Sequence, residues 1–570
     1  MVETVNKLHD KNTKDVNDIS VSFLKNIVYF IAEPLSHIFH LSLSNGIFPS
    51  AFKMNKIVPV YKNSGKRNIL NNYRPITIVN CFGKILEKYV ADSLMGYLYR
   101  NKIISPSQYG FVKGKNTSDC LLEIINRISK NSFEGKYTAA ILLDISKAFD
   151  TCNFEVILGK LQLYGIRGVQ HDWFESYLSE RQQLVKMGQI WSEENLTIDI
   201  GVPQGSLLGL ILFLIYVNDL PSATEFDSVL YADDTSALMS DSCPNVLEYK
   251  CNIQLQILLE WFNANKLSLN FKKTKFLVFS PNLSPSPRLN LYFKTPYRNS
   301  PIVQIPNQDD KSVRVLGFWI DERLNFKDHL NVLFSKINKS LFFISKVKNI
   351  ITLDARKMLY FSHIHSRLIY CLPLFTLLYK SDIMALCQLQ RKAIRIAFNA
   401  KRNENCIEFF HELGTLPVDL LLEKHIIKTM NLIYPHRKPQ ELLQYFPLKT
   451  LNHGHDIRQN ETFFVPLIKS KRLSCAPIYA YPSIFNQFLP EFKMIFEYQE
   501  FIEQLELHYI NLFQSKNCSK KKFVSTVATK NSKNDDSNIV KTLSNQIVIT
   551  IGTIFHLHKR DVDLLSPRQL

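Results

Sequence analysis

Tyr231-Ala232-Asp233-Asp234 sets two adjacent carboxylates between the apolar run Val229-Leu230 and the returning run Ala237-Leu238-Met239, a pattern that predicts a hairpin with both acids at its tip. Acids so placed repel each other, and a bound divalent cation relieves that repulsion. The tetrapeptide is short enough to arise by chance, so a third acid is needed. Tyr137-Thr138-Ala139-Ala140-Ile141-Leu142-Leu143 reads as a buried strand, and it ends in Asp144. A charged carboxylate at such an end requires a partner or a metal; its other reading is a cap for the turn at 146–149. Three acids from two strands can hold two hard cations about 3.5–4 Å apart, the arrangement used for in-line nucleotidyl transfer. Oxygen ligands with no soft donor nearby favour magnesium over zinc.

The elements that must carry these acids follow from the apolar pattern. Helical periodicity runs over 19–43 and stops at Asn45-Gly46. A strand over 56–61 leads into a loop at 63–68, and helices follow over 81–98 and 118–130. The pattern then switches to a strand (137–144), helices at 153–165 and 172–179, and a strand pair, 183–187 with 196–200. After Gly201-Val202-Pro203-Gln204-Gly205-Ser206 a buried helix begins, followed by the acidic hairpin. Further on come a helix over 246–266, a strand over 275–280, a Pro/Ser/Asn-rich loop over 282–300 and a strand over 313–320. Residues 1–17 are polar and aperiodic and read as a disordered leader.

At 570 residues the chain exceeds one ordinary core. Its longest apolar run, Leu207–Val217, falls short of the roughly 18–20 residues that cross a bilayer, so no membrane partner is expected. Ten cysteines lack any C-x-x-C spacing, which argues against a zinc ribbon or a disulfide framework. The net charge of +18 is uneven: residues 325–402 hold fourteen lysines and arginines against three aspartates. With Leu341-Phe342-Phe343 and Met358-Leu359-Tyr360-Phe361 at helical spacing, this segment reads as amphipathic helices with basic faces suited to a polyanion. Gln308-Asp309-Asp310 and Asn534-Asp535-Asp536 have no buried strand leading into them and are not candidates for the metal site.

Seven phrases, in this order, resemble the reverse transcriptases of non-LTR retrotransposons of the jockey-like, LINE-type group. They are Asn72-Tyr73-Arg74-Pro75-Ile76; Gln108-Tyr109-Gly110-Phe111; Leu143-Asp144-Ile145-Ser146-Lys147-Ala148-Phe149-Asp150; the 201–206 loop; Tyr231-Ala232-Asp233-Asp234-Thr235; Trp261-Phe262 with Lys266-Leu267-Ser268-Leu269-Asn270 and Lys273-Thr274-Lys275; and Leu316-Gly317-Phe318. Fainter likeness continues through Ile457-Arg458, Pro466 and 486–490.

The resemblance implies an α+β right-hand polymerase: fingers and palm with an antiparallel sheet over 18–310, a primer-grip strand and basic helical thumb over 311–410, and a mostly helical C-terminal unit over 411–513. Residues 514–570 are left as linker and tail. It further implies that Asp144, Asp233 and Asp234, with the Ile145 carbonyl, ligate two Mg2+ ions, with Mn2+ as a substitute, and that Lys273 protonates departing pyrophosphate. Lys62 and Arg74 would grip the triphosphate, Arg by its planar fork. Lys147 and Ala148 would offer it backbone amides, Phe149 would sit against the sugar and exclude a 2′-hydroxyl, and Gln204 and Gly205 would touch the nascent pair. Leu316, Gly317 and Phe318 would hold the primer end.

The partners implied are an RNA template, a DNA primer or target and deoxynucleoside triphosphates. Location is expected in nucleus and cytoplasm as a ribonucleoprotein, and no segment resembles the endonuclease such elements carry. Two other functions remain open on sequence: an inactive nucleic-acid-binding remnant, and an RNA-directed RNA polymerase, which Asp144 and Asp150 suggest and the missing Gly-Asp-Asp opposes.

Overall fold

The computed structural model describes residues 1–281, 286–294, 303–305, 312–433, 440–448, 463–468, 470, 472–488 and 497–525, the last twelve of them as backbone only. In chain order the first nine strands are β1 (Met54–Tyr61), β2 (Tyr73–Ile78), β3 (Tyr137–Leu143), β4 (Arg181–Met187), β5 (Ile190–Trp191), β6 (Leu196–Ile198), β7 (Asp227–Tyr231), β8 (Asp234–Asp241) and β9 (Lys275–Phe279). They build two sheets.

The four-stranded sheet runs β7-β8-β3-β9, antiparallel throughout. β3 is central because it can be buried on both faces: Ala139, Ile141 and Leu143 point into one apolar core and Ala140 into another. The helices Cys81–Arg100, Leu207–Val217 and Pro244–Ala264 contribute to the first core. The helix Thr117–Phe133 covers the second face, on which described residues between 313 and 513 also pack. This mixed α+β arrangement supplies the antiparallel palm that the resemblance implies. The second sheet, β2-β1-β4-β5 with β6 on β4, pairs β1 parallel to β4 and carries Lys62 and Arg74 at its outer end. The expected strand pair is found as β4 and β6, with Arg181 opposite Ile198.

Three expectations need correction. Residues 1–17 are not a disordered leader: Val2–Asn6 is helical, Val5 and Leu8 are buried, and Asp15 is fully buried. Asp15 accepts hydrogen bonds from the backbone amides of Asn17 (2.9 Å), Ile19 (3.0 Å) and Cys81 (2.8 Å). One carboxylate thus satisfies three donors, and that local bonding needs no apolar periodicity.

The stretch expected as one strand over 313–320 is a hairpin, Ser312–Val315 against Phe318–Asp321, turning at Leu316-Gly317 with φ of +48° and +85°. Two successive positive φ values are what a two-residue hairpin turn compatible with strand twist demands.

Residues 514–525, assigned to a linker, continue the helix Tyr498–Ser525. The rest of the tail, the decoy acids at 309–310 and 535–536, Ile457-Arg458 and the boundary drawn at 310 lie outside the described residues.

The basic segment folds as expected into helices, Lys327–Val347, Leu353–Tyr360 and Lys380–Ala397, with a wider turn at Phe361–His365. The C-terminal helices do not form a core of their own. Their apolar residues run continuously with those of the second face of the palm, and Tyr445 donates its hydroxyl to buried Glu123 at 2.9 Å.

Because three backbone amides bond to this buried carboxylate, one of them itself buried, Asp15→Ala should lower stability by about 2–3 kcal/mol. A melting temperature equal to the parent's would mean that the N-terminal segment is not docked in solution.

Candidate active site

The ladder sets the geometry of the acids. Leu143 pairs with Thr235, so Asp144, one residue further along β3, faces Asp234, one residue earlier on β8. Tyr231 pairs with Asp234, leaving Ala232 and Asp233 as a two-residue loop with Ala232 at φ +56°. Asp144 is fixed from its far side, where its carbonyl accepts the Asn270 amide at 2.8 Å, while Ser146 donates its amide to Ser268 at 2.8 Å. Ile145 bridges Leu269, and its side chain is buried, so only its backbone can serve the acids. Lys273, which follows the same loop, brings Nζ to 3.4 Å from the Asp144 carboxylate.

The electrostatics fit a cation site. Burial first, and then the charge of Asp144, raise the Asp233 carboxyl, with Arg74 and Lys273 opposing. Asp234 is open on one side, yet the surrounding protein and the charges of Asp233 and Asp144 push it up to about 6. Among the described residues, the group of three metal-type ligands with atoms within 4.8 Å is His171, Asp172 and Glu175, on the face of one surface helix. The three aspartates stand wider, as mutually repelling carboxylates do, but near enough that each of the hairpin pair feels Asp144. Hard oxygen donors crowded together, with Asp233 and Asp234 harder to ionise than in water, are what a divalent cation would offset.

A strap holds the hairpin tip. Tyr109 donates its amide to the Leu230 carbonyl (2.8 Å), and Leu230 donates to Ser107 (2.9 Å). The buried Gln108 side chain accepts from the amides of Gly110 (2.8 Å) and Ala232 (3.1 Å). A Cβ at Gly110 would meet the Ala232 nitrogen at 2.3 Å, so glycine alone permits the approach.

Residues 147–150 and 201–206 form the adjoining wall. Lys147 is exposed at φ +51°, Ala148 is buried, and the Phe149 ring packs on Phe213 with centroids 4.4 Å apart. The Val202 amide donates to the Phe149 carbonyl at 2.8 Å. Gln204 donates Nε2–H to Asp150 at 2.7 Å, and its carbonyl accepts the Thr77 amide at 2.7 Å. Gly205, at φ +128°, lies where a Cβ would meet the Thr77 carbonyl at 2.4 Å. Arg74, exposed on β2, acts electrostatically on Asp233, whereas Lys62 donates Nζ to the Asn71 carbonyl (2.9 Å) and acts instead on Asp150.

The Leu316–Gly317 turn is half-exposed, and its Leu316 carbonyl accepts the Tyr370 hydroxyl. Phe318 does not share that exposure: it is fully buried, stacked on His329 at 3.9 Å and edge-on to Phe326 at 4.9 Å. Its side chain anchors the turn. Beyond the hairpin, a recess of about 380 Å³ is lined by Lys336, Lys339, Ser340, Phe343, His363 and Arg367, with no acid among them.

Sequence reasoning gave no role to Gln108, and considered Asp150 only for the RNA-directed RNA polymerase alternative, not as the partner of Gln204. The phrase containing Gln108 was a signal, since its Gly110 marks a close backbone approach.

Residues 60–320 match the family described as "Reverse transcriptase (RNA-dependent DNA polymerase)". Among curated proteins, the chain is 24% identical to "Probable RNA-directed DNA polymerase from transposon BS" of Drosophila melanogaster, over 79% of this chain and 50% of that one. It is 25% identical to "RNA-directed DNA polymerase from mobile element jockey" of the same species, over 63% of this chain and 39% of that one. The chain thus spans about half the length, or less, of these relatives. A solved telomerase from Candida albicans, in complex with a fragment of telomeric RNA, shares 12% identity over 69% of this chain and 66% of its own, at a TM-score of 0.32, a likeness too loose to bear on the fold.

The raised Asp234 carboxyl gives a test with a definite sign. Its folded value of about 6 lies above its ordinary 3.8, so stability from this group is fully present below 3.8 and is lost as pH rises through 6. In chelator, Asp234→Asn should therefore melt higher than the parent at pH 7.5, with the difference vanishing near pH 4. Identical melting profiles across that range would show that the acids are not coupled.

Proposed function

On the premise that residues 60–320 belong to the reverse transcriptase family, we propose that this chain is the RNA-directed DNA polymerase of a jockey-like, LINE-type non-LTR retrotransposon. It would extend a DNA primer's 3′-hydroxyl on an RNA template, using deoxynucleoside triphosphates. The observation that carries the reading is the joining of Asp144, Asp233 and Asp234 at adjacent strand ends, with Asp234 held near 6 by burial and by the other two charges.

In this reading the three aspartates and the Ile145 carbonyl hold two Mg2+ ions, or Mn2+ in their place. When bound, such ions would make the attacking 3′-hydroxyl easier to deprotonate and would stabilise the negative charge that develops on the leaving pyrophosphate. The remaining work belongs to the chain. Arg74 and Lys62 at the edge of the β1–β2 hairpin bind the triphosphate, and the turn at Lys147-Ala148 offers it backbone amides. Phe149, backed by Phe213, fills the volume a 2′-hydroxyl would need. Gln204 and Gly205 set the floor under the new base pair, held by Asp150 and Thr77. Lys273, whose Nζ lies 3.4 Å from Asp144, gives the departing pyrophosphate its proton in this reading. The turn at Leu316-Gly317 steadies the primer end, and the acid-free recess at Lys336, Lys339, His363 and Arg367 receives backbone phosphates of the duplex. Priming on chromosomal DNA would take the ribonucleoprotein from cytoplasm to nucleus.

Primer extension on a homopolymer RNA with Mg2+ tests the reading. Asp233→Ala and Asp234→Ala should each lose at least about 10³-fold in rate, since each removes several kcal/mol of transition-state charge stabilisation. Retained extension in either variant, or none in the parent, would refute it. Phe149→Ala should begin to incorporate ribonucleotides; unchanged sugar preference would strip that ring of its role.

A further inference from the structure

The helix Cys81–Arg100 buries a carboxylate, Glu87, at 1% exposure and away from the three acids of the candidate site. Its Oε1 accepts the Tyr177 hydroxyl at 2.9 Å and its Oε2 accepts the Ser206 hydroxyl at 2.7 Å. Those two hydroxyl oxygens are themselves 3.0 Å apart. Burial, and next the charge of Glu87, raise the Tyr177 hydroxyl far above its ordinary range, so it stays protonated. Arg181, also buried, lies 3.9 Å from Glu87 and donates to the Tyr177 carbonyl (3.2 Å) and to Asn55 (3.4 Å). The network therefore ties β1, β4, two helices and the 201–206 loop to one point. A buried ion pair of this kind adds little stability compared with apolar packing of the same volume. What it does fix is geometry.

Ser206 is the element through which that geometry reaches the candidate site. It caps the helix Leu207–Val217, accepting the Gly209 amide at 3.0 Å, and directly follows Gln204 and Gly205. The same helix carries Phe213, the ring behind Phe149. We propose that Glu87 is a positioning residue: through Ser206 it sets the first turn of this helix, and with it the floor and sugar-facing wall of the nucleotide pocket. The assignment rests on the polymerase reading above.

A merely structural carboxylate would, when altered, reduce stability and turnover together. A positioning residue should instead move substrate discrimination. In steady-state primer extension with the full chain, Glu87→Gln and Ser206→Ala should each raise KM for deoxynucleotides on the order of 10-fold and narrow the preference over ribonucleotides, with kcat kept within about 2-fold. Because both changes cut one link, the double variant should be little worse than either single one. Loss of kcat with unchanged KM and sugar preference, or fully additive effects, would overturn the assignment. Should Glu87→Gln give no cooperative melt, Ser206→Ala and Tyr177→Phe must show the same KM pattern, and its absence there is equally decisive. A parent protein that binds an RNA–DNA duplex but extends nothing would refute the polymerase reading itself, and this assignment with it.

Discussion

Like charges brought close at adjoining strand ends govern this molecule. Asp233 and Asp234 are adjacent in sequence and Asp144 joins them through the ladder, so the fold must work against their repulsion before any ligand arrives. Central placement of β3 meets that demand. A strand buried on both faces and paired on both edges cannot shift sideways, and its last residue is held as firmly as the sheet itself. Lys273 and Arg74 supply partial compensation without neutralising the cluster, which leaves room for a cation.

The surrounding loops solve the same problem for backbone. Neither the hairpin tip nor the 201–206 loop has a regular ladder partner along its length, and both are held by hydrogen bonds from distant residues. The Gln108 side chain accepts backbone amides at the tip; in the loop Asp150 accepts the Gln204 side-chain amide, the Thr77 backbone amide bonds to the Gln204 carbonyl, and Glu87 accepts the Ser206 hydroxyl. In both places a glycine lets two backbones approach to distances that no Cβ would survive. Precision in the pocket is thus built from contacts between residues far apart in the chain.

That distance explains what could and could not be seen in the sequence. The three aspartates were legible because charge at the end of an apolar strand is expensive anywhere, and the helices over 19–43, 81–98 and 118–130 because their apolar periodicity is strong. The hairpin at 312–321 was read as a single strand since Leu316 continues the apolar run and conceals the turn that Gly317 permits. Phe318 was given to the primer on the strength of its motif, whereas its neighbours His329 and Phe326, which claim its ring, lie beyond that motif. Glu87, placed among lysines in an amphipathic helix, looks like a solvated residue until Tyr177, Ser206 and Arg181 are seen around it. The N-terminal segment was misjudged for a related reason: a single acid bonding to three amides leaves no periodic trace.

The bond between Tyr445 and Glu123 bears on how far this protein can be divided. Glu123 is wholly enclosed, and besides Tyr445 it is met by the Nε of Arg127 at 2.7 Å. A protein trimmed at residue 410 would strip the cover from the back of the palm, expose an oily surface and flood a charge designed to be dry. The C-terminal helices are therefore better regarded as the rear wall of the four-stranded sheet than as an appendage, and shortened versions should be judged by whether they keep that wall.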